Sequence, residues 1–199
     1  MSLPLSLELD LTQVCFSDEQ FYQLCIHNPE FNIERNAQGN LIVMPPVGGE
    51  SGNREFELGL DLGLWNRQTQ LGRVFSSSTV FQLPNGANRS PDLAWVERSR
   101  WQSLTSEQRQ KFPPIAPDFV MELRSRTDSL SALQVKMAEY LASGVRLGWL
   151  VNPQDQAVEI YRLGQDLEVK TLPTVLDGES VLPGFSLEIG LFLEDSLSC

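Results

Sequence analysis

Histidine is almost missing: the 199-residue chain has one, His27. That excludes nucleases and metal centres built on several histidines. A Ser-His-Asp triad would have to use His27, which falls in an amphipathic helix pattern. Cysteine is scarce too. Cys15, Cys25 and Cys199 form no C-x-x-C pair, so neither a disulfide framework nor a zinc site is expected. They read as small buried apolar residues with free thiols, which fits a reducing cytoplasm. Apolar runs stay far below the ~20 residues of a membrane helix. The opening MSLPLSLELD has no basic flank and meets acid at Glu8, so no secretory leader is expected. There is no repeat and no low-complexity linker, and the length suits one domain with a proper core.

Lysine is the next shortage. Only Lys111, Lys136 and Lys170 occur, so arginine supplies nearly all the basic charge. With 15 Lys+Arg against 26 Asp+Glu the net charge is −11. The acid is concentrated in residues 151–199, which carry 2 basic and 9 acidic groups. Such a balance argues against holding DNA by bulk electrostatics. A nucleic-acid partner would need a local Arg-lined cleft or help from metal ions.

What is present is a mixture of helix and strand patterns. Ser17 before Asp18-Glu19-Gln20 reads as an N-cap, opening a helix over 18–27 that buries Phe21, Leu24 and Cys25. Residues 31–35 and 41–44 predict a hairpin. A long helix is expected over about 50–67. It has two apolar stripes, Phe56, Leu60, Leu64 and Leu58, Leu62, Trp65, about 200° apart. Such a helix is covered on two sides, by the sheet or by a second subunit, which favours a homodimer. Short strands are expected at 73–75, 79–83, 92–96, 119–123 and 147–151, with helices at 103–110 and 129–142. Hairpin-like strands follow over 158–163 and 167–172, and short strands and turns to 193. The class is therefore α/β or α+β, with a central mixed sheet, flanking helices and extra hairpins.

Three acids stand out. Asp92 follows Pro91 at a strand start, Glu122 is embedded in Phe119-Val120-Met121-Glu122-Leu123, and Glu50 opens a helix after two glycines. For Glu122 alone, an outward position on an edge strand is an equally good reading, because strands alternate faces. If the strands of Asp92 and Glu122 are adjacent, both carboxylates fall at one end of the sheet. Buried acids there need a partner, and hard oxygen ligands suit Mg²⁺ or Mn²⁺. Arg124, two residues beyond Glu122, lies on the same strand face.

The pattern Pro91-Asp92 … Glu122-Leu123-Arg124 resembles the PD-(D/E)XK nuclease superfamily, with Arg in place of Lys. More narrowly, the blocks PDFVMELRS at 117–125, DSL at 128–130, KMAEY at 136–140 and GVRLGWLVNP at 144–153 resemble the Uma family of restriction endonucleases. GGESG at 48–52 and LPGF at 182–185 agree, so the likeness runs from about 15 to 193. It implies a single restriction-endonuclease-like domain that hydrolyses DNA phosphodiesters with metal-activated water. Asp92 and Glu122 would be the metal ligands and Glu50 the helix-borne acid beside them.

The basic role stays open between two residues. Arg124 stays charged and can stabilise the pentavalent phosphate without acting as a base. Lys136 lies about 40° outside the apolar arc of its helix. It either swings an ammonium into a cleft beside Glu122 or snorkels on a solvated edge. Asp118 reads as a loop cap, the four tryptophans as core aromatics. The cluster Arg98, Arg100, Arg109, Lys111 reads as a solvated face or a phosphate contact. The alternative function is a nuclease-derived dimeric module that binds nucleic acid or protein without cleaving, which the Arg for Lys exchange and the acidic charge favour.

Overall fold

The computed structural model describes residues 7–190 apart from Thr12 and Cys15. The expectations for Cys15, Cys199 and the pattern beyond 190 fall outside the described residues.

In chain order the elements are β1 (Leu7–Leu9), α1 (Asp18–His27), β2 (Asn32–Arg35), β3 (Leu41–Met44), α2 (Gly49–Thr69), β4 (Gly72–Ser76), β5 (Phe81–Gln82), β6 (Asn88–Arg89) and β7 (Leu93–Glu97). There follow α3 (Arg98–Ser103), α4 (Ser106–Gln110), β8 (Phe119–Leu123), α5 (Leu130–Ala142), β9 (Leu147–Asn152), β10 (Ala157–Arg162), β11 (Glu168–Thr171), β12 (Thr174–Asp177) and β13 (Ser186–Ile189). Six strands form the main sheet in the order β11-β10-β9-β8-β7-β4. Its one parallel pair is β8 with β9, joined by the crossover helix α5. Five strands form a second sheet, β1-β3-β2-β6-β5, and β12 pairs with β13. This is the mixed sheet with flanking helices and extra hairpins that the pattern predicts.

Alternation along β7 and β8 separates the two faces of the main sheet. Leu93, Trp95, Phe119 and Met121 pack with Leu58, Leu62 and Trp65 of α2 and with the β12–β13 hairpin. Ala94, Val96 and Val120 pack with Met137 and Tyr140 of α5. By the same alternation Asp92 and Glu122 belong to the α5 face. Helix α5 lies close to β9 because Gly148 has no side chain: a Cβ there would sit 2.5 Å from Met137 Cε. Ser129 caps its first turn through Ala132 N–H, and Gly144, at φ +101°, turns the chain back toward β9.

Ser17 closes a capping box with Gln20 at the start of α1, as its sequence suggests. Two local expectations differ. The helix expected over 103–110 is the shorter α4, which starts after the capping box of Thr105 with Gln108, and a separate helix α3, not expected, precedes it. Strand β6 had no sequence signal, since two residues show no period. On α2, Leu58, Leu62 and Trp65 are buried, whereas Phe56, Leu60 and Leu64 are exposed. Trp65, Trp95 and Trp149 are core residues and Trp101 is half-buried against the α5-side core, as their chemistry suggests.

Candidate active site

Strands β7 and β8 pair antiparallel, with Leu93 opposite Met121 and Ala94 opposite Val120. Extending that register by one residue sets Asp92 directly across from Glu122 on the same face, where Cβ atoms lie about 5 Å apart. Leu123 N–H donates to Asp92 Oδ2 at 2.6 Å. Tyr140 Oη donates to Glu122 Oε1 at 3.0 Å, and Lys136 Nζ reaches the same oxygen at 2.9 Å. Asp92 Oδ1 and Glu122 Oε2 have no hydrogen-bond partner among the described residues.

Helix α5 delivers Lys136 from above. Its ammonium is buried and meets Glu34 Oε1 at 2.9 Å, Glu122 Oε1 at 2.9 Å and the Ser90 carbonyl at 3.2 Å. An ammonium has three N–H donors, and three acceptors surround it. Glu34, on β2 of the second sheet, also accepts from Arg89 Nη1 at 2.9 Å and from Ser90 N–H at 2.8 Å. Arg89 Nε in turn pairs with Glu139 of α5 at 2.5 Å. A continuous polar network thus joins the two sheets and α5.

The network sorts its carboxyls by environment. Burial and then the neighbouring Glu122 charge push the Asp92 carboxyl well above its ordinary range, with Glu55 of α2 adding to the effect. Burial raises Glu122 as well, against the pull of Lys136. Burial also opposes ionisation of Glu34, but Lys136 and Arg89 outweigh it and hold that carboxyl below its usual range. Burial disfavours the Lys136 ammonium, and Glu122, Glu34 and Asp92 more than offset this, so it is held protonated above the usual lysine range. Burial and the Glu122 charge keep the Tyr140 phenol protonated, as a donor.

Of the residues singled out in the sequence, Asp92, Glu122 and Lys136 meet here. Arg124 does not. Its guanidinium is held by Asp155 Oδ2 at 3.0 Å, Asn152 Oδ1 at 3.2 Å and the Asp128 carbonyl at 3.3 Å. Glu50 is exposed in the first turn of α2, 4.0 Å from Arg54. The α2 acid whose charge reaches Asp92 is Glu55. Asp118 is buried between Arg100 at 2.8 Å and Arg146 at 3.6 Å, and accepts from Glu97 N–H at 2.8 Å. Sequence reasoning missed Glu34, Arg89 and Glu55, and gave Tyr140 no polar role. The alternation in Ile33-Glu34-Arg35 reads Glu34 as an outward residue, so no signal in the sequence marked it.

The donor set for a hard divalent cation would be the facing pair of carboxylates, each with one oxygen free of protein partners among the described residues. Among the described residues no third Asp, Glu, His or Cys completes a cage with them. Water and substrate oxygens would fill the shell, in keeping with the habit of Mg²⁺ to retain several waters. Mutual repulsion of the two acids is relieved by such a charge. The residues present therefore fit the ion. No helix among the described residues is long and apolar enough to cross a membrane.

The chain is similar in fold to the crystal structure of a "putative nuclease belonging to DUF820" from Anabaena variabilis, with a TM-score of 0.70 and 21% identity over 81% of this chain and 89% of that one. No curated protein matches it. Residues 18–190 match the Uma2 family, described as "Putative restriction endonuclease", and the chain belongs to that family.

Proposed function

We propose that this chain is a metal-dependent endonuclease that hydrolyses phosphodiester bonds in DNA, with Asp92 and Glu122 holding Mg²⁺ or Mn²⁺. The observation that carries the reading is the cross-strand pair of carboxylates on one sheet face, whose ionisation burial opposes in both and the Glu122 charge opposes further in Asp92. A bound cation supplies Lewis acidity and a water of lowered pKa. The rest falls to the chain. Leu123 N–H orients Asp92, and Tyr140 and Lys136 fix Glu122.

Lys136 enters as a protonated group. It orients Glu122 and lends positive potential to a cleft where phosphate charge grows; it does not take a proton. Arg124 secures the end of β8 against the β9–β10 turn in this reading. Glu55, ahead of Glu50, is the α2 acid whose charge reaches the pair, and it raises the Asp92 carboxyl. The exposed stripe Phe56, Leu60 and Leu64 supports a homodimer, which sedimentation tests.

The second reading, a module that binds without cleaving, has its own observation. All three Lys136 donors are engaged within the protein, so none is free for substrate. Calorimetric titration of Mn²⁺ into the wild type, Asp92→Ala and Glu122→Ala, followed by plasmid cleavage, separates the two. Binding lost in both variants and metal-dependent nicking by the wild type are expected. Wild type that binds no Mn²⁺, or binding indifferent to both substitutions, removes the nuclease reading.

A further inference from the structure

Four arginines from four different elements line one concavity of about 480 Å³: Arg67 of α2, Arg73 of β4, Arg98 of α3 and Arg109 of α4. None of them makes an ion pair with a described residue, and no carboxylate lines the hollow. In a chain of net charge −11 with 26 acids, such a cluster is out of keeping with the overall charge balance. The negative end of α2 accounts for Arg67, which stands in its last turn. It does not account for three further guanidinium groups brought from β4, α3 and α4.

The hollow also has a fixed neutral donor. Asn66 lines it, and its Oδ1 accepts from Trp95 Nε1 at 2.9 Å and from Gly72 N–H at 3.2 Å. With the oxygen held in this way, the amide NH₂ is the end left for a ligand. The other cations near α3 and α4 are engaged elsewhere: Arg100 with Asp118, and Lys111 with Glu19 and Glu107. Guanidinium forks without ion pairs, one of them steadied by Gln70 Oε1 at 3.5 Å from Arg98 Nη2, and an amide donor, with no acid among them, suit the non-bridging oxygens of phosphodiesters.

The place of the hollow gives the ligand. Asp92 immediately precedes β7 and Arg98 immediately follows it. Six strand steps of about 3.4 Å separate them by roughly 20 Å. B-DNA carries one phosphate per strand every ~3.4 Å of its axis, so this span is about six base steps.

We propose that Arg67, Arg73, Arg98 and Arg109 form a phosphate clamp that grips the DNA backbone about six base steps from the carboxylate pair. The inference rests on DNA being the substrate, and it supplies the local basic contact that the acidic surface otherwise lacks. It locates affinity away from the reacting phosphate, so binding and cleavage are separable by mutation.

Fluorescence anisotropy with a labelled duplex in Ca²⁺, over a salt series, tests it. Arg73→Ala and Arg98→Ala are each expected to weaken binding about tenfold and to lower the log–log salt slope by about 0.9. Lys170→Ala, a change of equal charge on β11, is the control and is expected to leave both unchanged. Arg73→Lys is expected to restore the slope, though not the full affinity. Circular dichroism melts confirm that the variants fold.

Equal binding by wild type and both arginine variants overturns the clamp and leaves the nuclease reading standing. Wild type that binds pyrophosphate but no duplex assigns the hollow to a small phosphate and also overturns it. Loss of affinity no greater than that of Lys170→Ala overturns it as bulk charge. Wild type that binds duplex in an arginine-dependent way but shows no metal-dependent cleavage sinks the nuclease reading alone and leaves the clamp standing.

Discussion

Lys136 Nζ and Glu34 Oε1 lie 2.9 Å apart, and this contact fastens the crossover helix of the six-stranded sheet to the middle of the five-stranded one. Glu34 is 1% exposed and serves two cations, Lys136 and Arg89. Removing it would leave both without their shared counter-charge. Glu34→Gln is expected to lower unfolding free energy by about 3–5 kcal/mol, the usual loss when one partner of a buried pair is deleted. Urea denaturation measures it, and a loss below ~1 kcal/mol would contradict the arrangement.

That loss should depend on pH in a definite direction. The Glu34 carboxyl is held below its unfolded value, so its contribution is complete above the unfolded value of ~4.3 and fades as pH falls through the folded one. Wild type and Glu34→Gln should therefore converge in stability in acid. A gap that widened below pH ~4 would show the carboxyl to be raised instead.

Cys25 gives a second pH-dependent quantity. Burial pushes its thiol up to about 11, against the opposing charge of Arg35. With Cys15 and Cys199 replaced by serine, alkylation of Cys25 should be slow at pH 8 and accelerate about tenfold per unit toward pH 11, since the thiolate is the nucleophile. The raised folded value also means that stability falls as pH rises from the ordinary thiol range toward 11. A reaction profile centred near 8.5 would place Cys25 in water rather than against the five-stranded sheet.

Much of this was legible in the chain. Residues 119–123 form a strand with the bounds their apolar run suggests, and the acid within it faces the acid after Pro91. The helical angle of Lys136, at the border of an apolar arc, is that of a side chain that can turn inward, and it does. Glu34 was not legible. In a hairpin with apolar alternation it reads as the outward residue, and nothing nearby announces that Arg89, Ser90 and Lys136 of α5 meet it there. Glu50 and Glu55 were not separable either. Both stripes of α2 are apolar, so the sequence leaves open which way the helix is rotated against the sheet.

Asp92 carries a carboxyl raised by burial and by Glu122, so its ionisation opposes folding of the metal-free chain. That penalty is absent below the unfolded value of ~3.9 and grows as pH rises through the folded one. Asp92→Asn is expected to raise the melting temperature of the metal-free protein by several degrees at pH 7 while abolishing the further rise that Mn²⁺ gives the wild type. At 100 times its Kd the ion should stabilise the wild type by about 2.7 kcal/mol. Differential scanning calorimetry with and without Mn²⁺ decides, and a lower melting temperature for the metal-free variant would show that Asp92 serves structure instead.

Lys136 and Arg124 should then separate by what they do to the cation. Lys136 touches Glu122, whereas Arg124 is bound to Asp155 and Asn152. Lys136→Met removes the charge that favours ionised Glu122 and the donor that orients it. Divalent affinity should fall about 10–100-fold, the usual cost of losing a group that positions a metal ligand. Arg124→Ala should leave that affinity unchanged and act through the stability of the β9–β10 turn. Lys136→Arg keeps the charge but changes its shape, so it should recover part of the affinity at neutral pH. Calorimetric Mn²⁺ titrations of the three variants make the comparison, and a larger loss in Arg124→Ala than in Lys136→Met would reverse the assignment.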